Sequence, residues 1–378
     1  MTGVERWPVI GTGAAASIAT GTGQLFEALC AGRTGLAPLR GFDVACFRAK
    51  QAYEIDDRPG TGDIPGRATR WLCAAVAEAA SDAGIGTDLS AIPVVVGTGL
   101  RELRSAELRW TERMDFPLSR LHFGTALRER FGAAATYTIN SACSASLHAL
   151  GLGADLLATG AAETVIVAGV DSITTSMFGL MDRVHPAAVD RVRPFDRNRR
   201  GVLMGDGAAA VVLARQGPAK SWLRAVALNC DARSVTAPDL AGISAVIADA
   251  HARAGVKPAD IGVVLTHGTG TALNDKVEAA ALAGVFGGDR DGPLITAIKS
   301  MTGHTSGASG LMSVVVAVEV LRSGRIPPIA GLRDPAPEAR DLRLVTGTAF
   351  RADVNIAQVD AFGFGGVNAV AIIEKAAR

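Results

Sequence analysis

The chain has 378 residues, 48% hydrophobic and 20% charged, which is the composition of a globular protein with a large core. Lysine and arginine number 38 against 37 acidic residues, a formal charge of +1. A wholly basic nucleic-acid binder is therefore excluded, while a local basic patch is not.

Short β-rich runs alternate with alanine-rich helical stretches, the pattern of an α/β fold. Val9-Ile10 reads as a strand ending in Gly11-Thr12-Gly13. The spacing over 68–83 predicts a helix, and 92–96 a buried strand followed by Gly97-Thr98-Gly99. Tyr137-Thr138-Ile139 leads into Cys143, and 145–157 reads as an apolar helix. Residues 164–170 and 208–214 read as strands. Gly217 and Pro218 then break any regular element within 215–220. The pattern restarts with a strand at 223–228, a helix at 240–255 and a strand at 261–265 that reaches His267. A helix at 275–285, a strand at 294–298 and a second apolar helix at 306–321 follow. The expected organisation is two architecturally similar halves, 1–215 and 216–378.

Five cysteines, Cys30, Cys46, Cys73, Cys143 and Cys230, are spread out with no C-x-x-C pair. A disulfide framework is not expected, and a reducing cytoplasm fits. The six histidines form no H-E-x-x-H and no i, i+4 pair, so no metal site is expected. No apolar run reaches the roughly 18 residues of a membrane span; the longest, 311–318, is closed by Glu319. Arg6 and the small residues of 9–18 mimic a signal peptide weakly, but Pro8, Gly11, Thr12 and Gly13 break the apolar core, so export is not expected.

Two motifs are look-alikes. Gly11-Thr12-Gly13-Ala14-Ala15-Ala16 fits a dinucleotide-binding G-x-G-x-x-A, but so does Gly205-Asp206-Gly207-Ala208-Ala209-Ala210, and such matches come easily in a Gly/Ala-rich chain. Gly169-Val170-Asp171-Ser172-Ile173 resembles a carrier-protein attachment site, yet it follows a strand rather than opening a helix of a small helical domain. No G-x-S-x-G elbow is present, which disfavours a serine hydrolase of that type.

Cys143 carries more. It lies in Asn140-Ser141-Ala142-Cys143-Ser144-Ala145-Ser146, between a strand and an apolar helix, so its thiol sits at a helix N-terminus, where dipole and free N–H groups favour thiolate. His267 follows a strand directly, within Thr266-His267-Gly268-Thr269-Gly270-Thr271, and reads as a loop residue facing a cleft. His304 lies in Lys299-Ser300-Met301-Thr302-Gly303-His304, again between a strand and an apolar helix. One cysteine and two histidines in three such loops suggest a nucleophile with two proton donors or bases.

These residues resemble the β-ketoacyl-acyl carrier protein synthases, the elongating condensing enzymes with a Cys-His-His triad. The resemblance spans nearly the whole chain. It rests on Val9-Ile10-Gly11-Thr12-Gly13, on Ser141-Ala142-Cys143-Ser144, and on Pro194-Phe195-Asp196-Arg197 with Gly205-Asp206-Gly207. His267-Gly268-Thr269-Gly270-Thr271, Lys299 to His304, and Phe362-Gly363-Phe364-Gly365-Gly366-Val367-Asn368 complete it.

The resemblance implies a thiolase-like fold of two similar halves in five α-β-α-β-α layers, usually a homodimer, with a heterodimer with a related synthase subunit as the variant. It implies that Cys143 takes an acyl group from a carrier protein. His267 and His304 then stabilise the enolate left when a malonyl thioester loses carbon dioxide. It implies an oxyanion hole from the N–H groups of Cys143 and Phe364, and a Lys299–Glu278 pair that orders the histidine loop. Thr269 and Thr271 would touch the carrier's phosphopantetheine arm, no other cofactor being expected. Phe362 and Phe364 would lie in a mobile gate loop. Arg67 and Arg70 are candidates for docking the acidic carrier.

The chain departs from the family pattern in three respects. Val367 stands where Thr or Ser is more usual, and Asp360-Ala361 where Asn-Ser is. The stretches 99–137 and 172–193 are short for the family, which leaves acyl length and dimer geometry open. Arg101, Arg104, Arg109, Arg113 and Arg120 match no family motif. The competing readings are a transacylase using the same cysteine without decarboxylation, and a non-catalytic partner resembling a chain-length factor. Specialised polyketide or modified fatty-acid synthesis is favoured over housekeeping elongation.

Overall fold

The computed structural model describes residues 5–377 apart from 59, 61 and 288–291. The first half runs β1 (Trp7–Ala16), α1 (Arg67–Asp82), β2 (Val94–Gly97), β3 (Thr136–Ile139), α2 (Ala145–Ala158), β4 (Thr164–Asp171) and β5 (Gly207–Ala214). The second runs β6 (Ser221–Cys230), α3 (Leu240–Ala254), β7 (Val263–Leu265), α4 (Ala272–Phe286), β8 (Leu294–Thr296), α5 (Ser309–Ser323), β9 (Ile356–Phe362) and β10 (Val367–Lys375).

The two halves share one topology. In the first the strand order is β3-β2-β4-β5-β1, and in the second β8-β7-β9-β10-β6. In both, the first three strands of that order are parallel and the last two join antiparallel. β1 and β6 then pair antiparallel through Trp7–Val9 and Ser221–Leu223, so the half-sheets merge into one 12-stranded sheet.

Side-chain alternation along these strands builds the layers, because successive residues point to opposite faces. Val165, Val167, Ala209, Val211 and Leu213 point inward onto α2 and α5, as do Val263, Leu265, Val359 and Ala371 from the other half. Ile166, Ala168, Ala210 and Val212 point outward onto α1. Val264, Val370 and Ile372 point outward onto α3 and α4. The result is the expected five-layered order, with α2 and α5 in the middle. Strands covered on both faces read as unbroken Val/Ala runs rather than as alternating ones.

Three expectations are corrected here. The first strand does not end at Gly11 but continues to Ala16. Its glycines serve packing: a Cβ at Gly11 would lie 2.2 Å from the Ala79 carbonyl oxygen, and one at Gly13 2.1 Å from that of Ala75. The dinucleotide look-alike is thus the contact of α1 with the sheet. Second, the eighth strand stops at Thr296, and Lys299 opens a separate helical turn, Lys299–Thr302. Third, Ser306–Ser323 is long and apolar enough to cross a membrane by length and composition, but 89% of it is buried inside the protein as the central helix.

Candidate active site

Each half places a one-turn 3₁₀ segment before its central helix: Ala142–Ser144 before α2 and Ser306–Ala308 before α5. Three residues ahead of each helix stands a non-glycine residue in the left-handed region, Ala142 (φ 47) and Ser306 (φ 47). Such backbone is strained and clusters at functional sites. Cys143 follows the first of these residues, and Gly307 the second. Gly307 is required there, because a Cβ would lie 2.5 Å from the backbone nitrogen of Gly99. The central helices therefore start side by side, tied by the Leu311 N–H donating to Ser146 Oγ at 2.9 Å.

Cys143, His267 and His304 converge on this point. His304 Nε2 is 3.0 Å from Cys143 Sγ. The two imidazole rings stand edge to face at 5.4 Å between centroids. Sγ and one nitrogen of each ring lie within 4.8 Å of one another. Sulfur and imidazole donors at this spacing could accept a soft metal ion, although the His304–Cys143 hydrogen bond accounts for their proximity. The histidines are buried rather than open to a cleft, and Cys143 is partly exposed.

Burial decides the resting protonation. It pushes the Cys143 thiol up to about 11, against the nearby Lys299 charge and the N–H groups of Phe364 and of Cys143 itself. The thiolate expected from the helix N-terminus is thus corrected to a neutral thiol, because desolvation outweighs the dipole. Burial, with the Lys299 charge, also holds both histidines well below their ordinary range, so both rings are neutral. Their Nδ1 atoms are buried without a partner. An unpaired N–H is the costlier orphan, which favours the proton on Nε2. The N–H groups of Phe364 and Cys143, the pair implied as an oxyanion hole, both act to lower the pKa of the sulfur.

His267 is seated by its backbone. Glu278 accepts from the His267 N–H at 2.7 Å and the Gly268 N–H at 2.8 Å. Lys299 Nζ donates to the His267 carbonyl at 2.5 Å. The expected Lys299–Glu278 ion pair is thereby corrected: the two feel each other's charge, but Lys299 donates to the histidine loop, and Glu278 accepts from that loop and from Asn274 Nδ2 at 3.0 Å. Burial drives Lys299 down and Glu278 up, both toward neutrality. Beside them, Asp275 accepts from the N–H groups of Thr269, Gly270 and Phe195.

The remaining candidates separate. Thr269 and Thr271 share a hydroxyl–hydroxyl bond of 3.0 Å, and Thr271 also caps α4 through the Asn274 N–H. Phe364 is 39% exposed at the tip of the β9–β10 hairpin. Phe362 is not in that loop: it ends β9, buried, with its ring 5.9 Å from that of His267. Arg67 cannot dock a partner. It is buried among Asp57, Asp63 and Asp206, at 2.8, 3.0 and 3.3 Å. Its place at the start of an apolar-faced helix gave no hint of those acids, which come from other segments. Arg70 remains half exposed, 3.6 Å from Asp57.

Sequence reasoning missed Asp171. It accepts from Thr98 Oγ1 and from the N–H groups of Gly99, Leu100 and Gly307, at 2.6 to 2.8 Å. It thereby fastens the loop after β2 to the turn ahead of α5. The only signal was its place in the motif dismissed as a carrier attachment site. Arg104, one of the unexplained arginines, is buried against Asp63 at 3.0 Å in the same network as Arg67.

The Beta-ketoacyl synthase N-terminal domain family matches residues 6–219, and the Beta-ketoacyl synthase C-terminal domain family residues 221–333. The chain belongs to the beta-ketoacyl synthase family. The 3-oxoacyl-[acyl-carrier-protein] synthase 2 of Synechocystis sp. (strain ATCC 27184 / PCC 6803 / Kazusa) is 28% identical, covering 98% of each chain. That alignment spans 414 positions, more than this beta-ketoacyl synthase has residues, so the relative carries segments with no counterpart here. Nodulation protein E of Rhizobium sp. (strain N33) is 31% identical over 62% of this chain and 60% of its own length. Among solved structures, the ishigamide ketosynthase/chain length factor superposes with a TM-score of 0.89 at 30% identity, covering 98% of this chain and 99% of that one.

Proposed function

We propose that the protein is an acyltransferase that condenses an acyl group with a malonyl-carrier thioester. The observation that carries this reading is the 3.0 Å contact of Cys143 Sγ with His304 Nε2 beside the backbone N–H groups of Cys143 and Phe364. In the first step the sulfur attacks the carbonyl carbon of an acyl thioester. The C–S bond forms while the two N–H groups hold the oxyanion. The bond to the pantetheine sulfur breaks, and the thiol proton ends on that departing sulfur, which leaves as the free thiol. The acyl-enzyme then meets malonyl-carrier thioester. Its C–C bond to the carboxylate breaks, carbon dioxide departs, and the electron pair becomes an enolate. Nε2–H groups of His267 and His304 bond the enolate oxygen. The enolate carbon attacks the acyl group, and the Cys143 sulfur leaves as thiolate and takes a proton from water.

Lys299 and Glu278 act through His267, and Thr269 and Thr271 line the approach of the pantetheine arm. The half formed by 1–215 supplies the nucleophile, and 216–378 supplies the histidines. An acyl carrier protein delivers both substrates, with Arg70 as the remaining docking candidate. A related subunit is a natural partner, because the ishigamide structure is a ketosynthase/chain length factor. Incubation with an acyl-carrier thioester followed by mass spectrometry tests the first step. An acyl adduct on Cys143 is expected, and its absence removes the acyl-enzyme.

A further inference from the structure

Gln358, Asp360 and Phe362 lie two residues apart on one face of β9, the face turned toward α3 and α4. Phe362 reaches the ring of His267. The two polar members behind it are 0% and 1% exposed. Gln358 Nε2 donates to Asp360 Oδ1 at 2.8 Å, and Gln358 Oε1 lies 2.8 Å from Nε2 of the buried His251 on α3. The other carboxyl oxygen, Asp360 Oδ2, is buried with no partner. The charged groups that act on Asp360 are Glu278 from α4 and Lys299 from the turn before α5. Asp275, also on α4, acts on that same pair. The partners of this stretch across the sheet are apolar: Val370 opposite Asp360, and Leu265 opposite Val359.

We propose that Asp360 is a positioning residue that, with Gln358 and His251, sets the charge beneath the Glu278–Lys299 clamp and so the seat of His267. An unpaired ionised carboxylate is costly in such a place. Burial, joined by the Glu278 charge, holds Asp360 well above the usual carboxylate range, so it keeps its proton at neutral pH. In that form Asp360 adds no charge to the Glu278–Lys299 pair. Ionisation of Asp360 at higher pH adds a negative charge below the point where the enolate forms. Like charges repel more strongly in a dry site, so decarboxylation falls as Asp360 titrates. Asparagine has the same shape as the aspartate and cannot titrate.

The kinetic arm of the test rests on the condensing reading; the spectroscopic arm does not. Infrared difference spectra of wild type and Asp360→Asn at neutral pH should isolate the carbonyl band of one buried protonated acid, present only in wild type. The alkaline limb of malonyl-carrier decarboxylation should move up by roughly half a unit or more in Asp360→Asn. Gln358→Leu removes a donor that favours the ionised form and should move the limb in the same direction. Identical infrared spectra in wild type and Asp360→Asn overturn the proposal even if the protein decarboxylates nothing. Unmoved alkaline limbs in both active variants overturn it as well.

Discussion

Glu278 and Lys299 hold His267 from opposite sides of its backbone, the carboxylate on the N–H groups of His267 and Gly268 and the ammonium on the His267 carbonyl. All three side chains are buried, so none of these bonds competes with water. A histidine aimed by its main chain keeps its ring nitrogens free for substrate.

Glu278→Gln should therefore separate the two half-reactions. It replaces one of two charge-assisted acceptors by a donor that faces an N–H group. Such a bond is worth about 1.5–3 kcal/mol, or roughly a 10- to 150-fold loss in rate. That loss is expected in malonyl-carrier decarboxylation, measured as carbon dioxide release. Acyl transfer onto Cys143, followed by mass spectrometry, should change far less. Equal losses in both steps would contradict the assignment of the clamp to His267.

The resting thiol makes a pH prediction. Burial raises Cys143 to about 11, so it is protonated throughout the neutral range. The thiolate is the nucleophile toward a small alkylating agent, and its fraction grows about tenfold per pH unit below the pKa. The alkylation rate of Cys143 should climb from pH 7 to pH 9 without levelling. A plateau below pH 8 would mean that the dipole and Lys299 outweigh desolvation.

Arg67 and Arg70 should behave as opposites. Arg67→Ala leaves Asp206 buried without its cation, while Asp63 keeps Arg58 and Arg104. Breaking a buried pair in this way costs about 3–5 kcal/mol, to be read from the urea midpoint. Arg70 forms only a long, half-exposed pair, so Arg70→Ala should change stability by less than about 1 kcal/mol. Its effect should appear instead as a raised KM for acyl-carrier substrate.

Gly13→Ala tests the reading of the N-terminal glycines. The added Cβ would stand 2.1 Å from the backbone oxygen of Ala75, which cannot move without the helix. Overpacking of this kind costs about 1–3 kcal/mol. Thermal unfolding should shift down while activity per folded molecule is kept. A fully stable variant would show that the helix lies farther from the strand.

The sequence made the layers and the nucleophile legible because both depend on local pattern. Alternating strands and the apolar 145–157 and 306–321 stretches need only neighbours to be read. Cys143, His267 and His304 stand in loops whose glycines and threonines mark them. What escaped was set by partners distant in the chain. Arg67 reads as a helix-start cation until Asp206, 139 residues away, closes on it. Asp171 reads as part of a short motif until Gly307 arrives from the other half. The Cys143 proton depends on desolvation by the folded core, which no spacing reveals. Phe362 looks like part of a glycine loop, but β9 runs on to it because its ring fills the space beside His267.

The central claim is that this cluster carries out decarboxylative condensation, and a single-turnover reaction tests it directly. Protein already acylated on Cys143 is mixed with malonyl-carrier thioester, and carbon dioxide and the carrier product are counted together. One carbon dioxide for each β-ketoacyl-carrier formed, with loss of the acyl group from Cys143, is the predicted result. Acyl transfer to an acceptor without carbon dioxide release would contradict it.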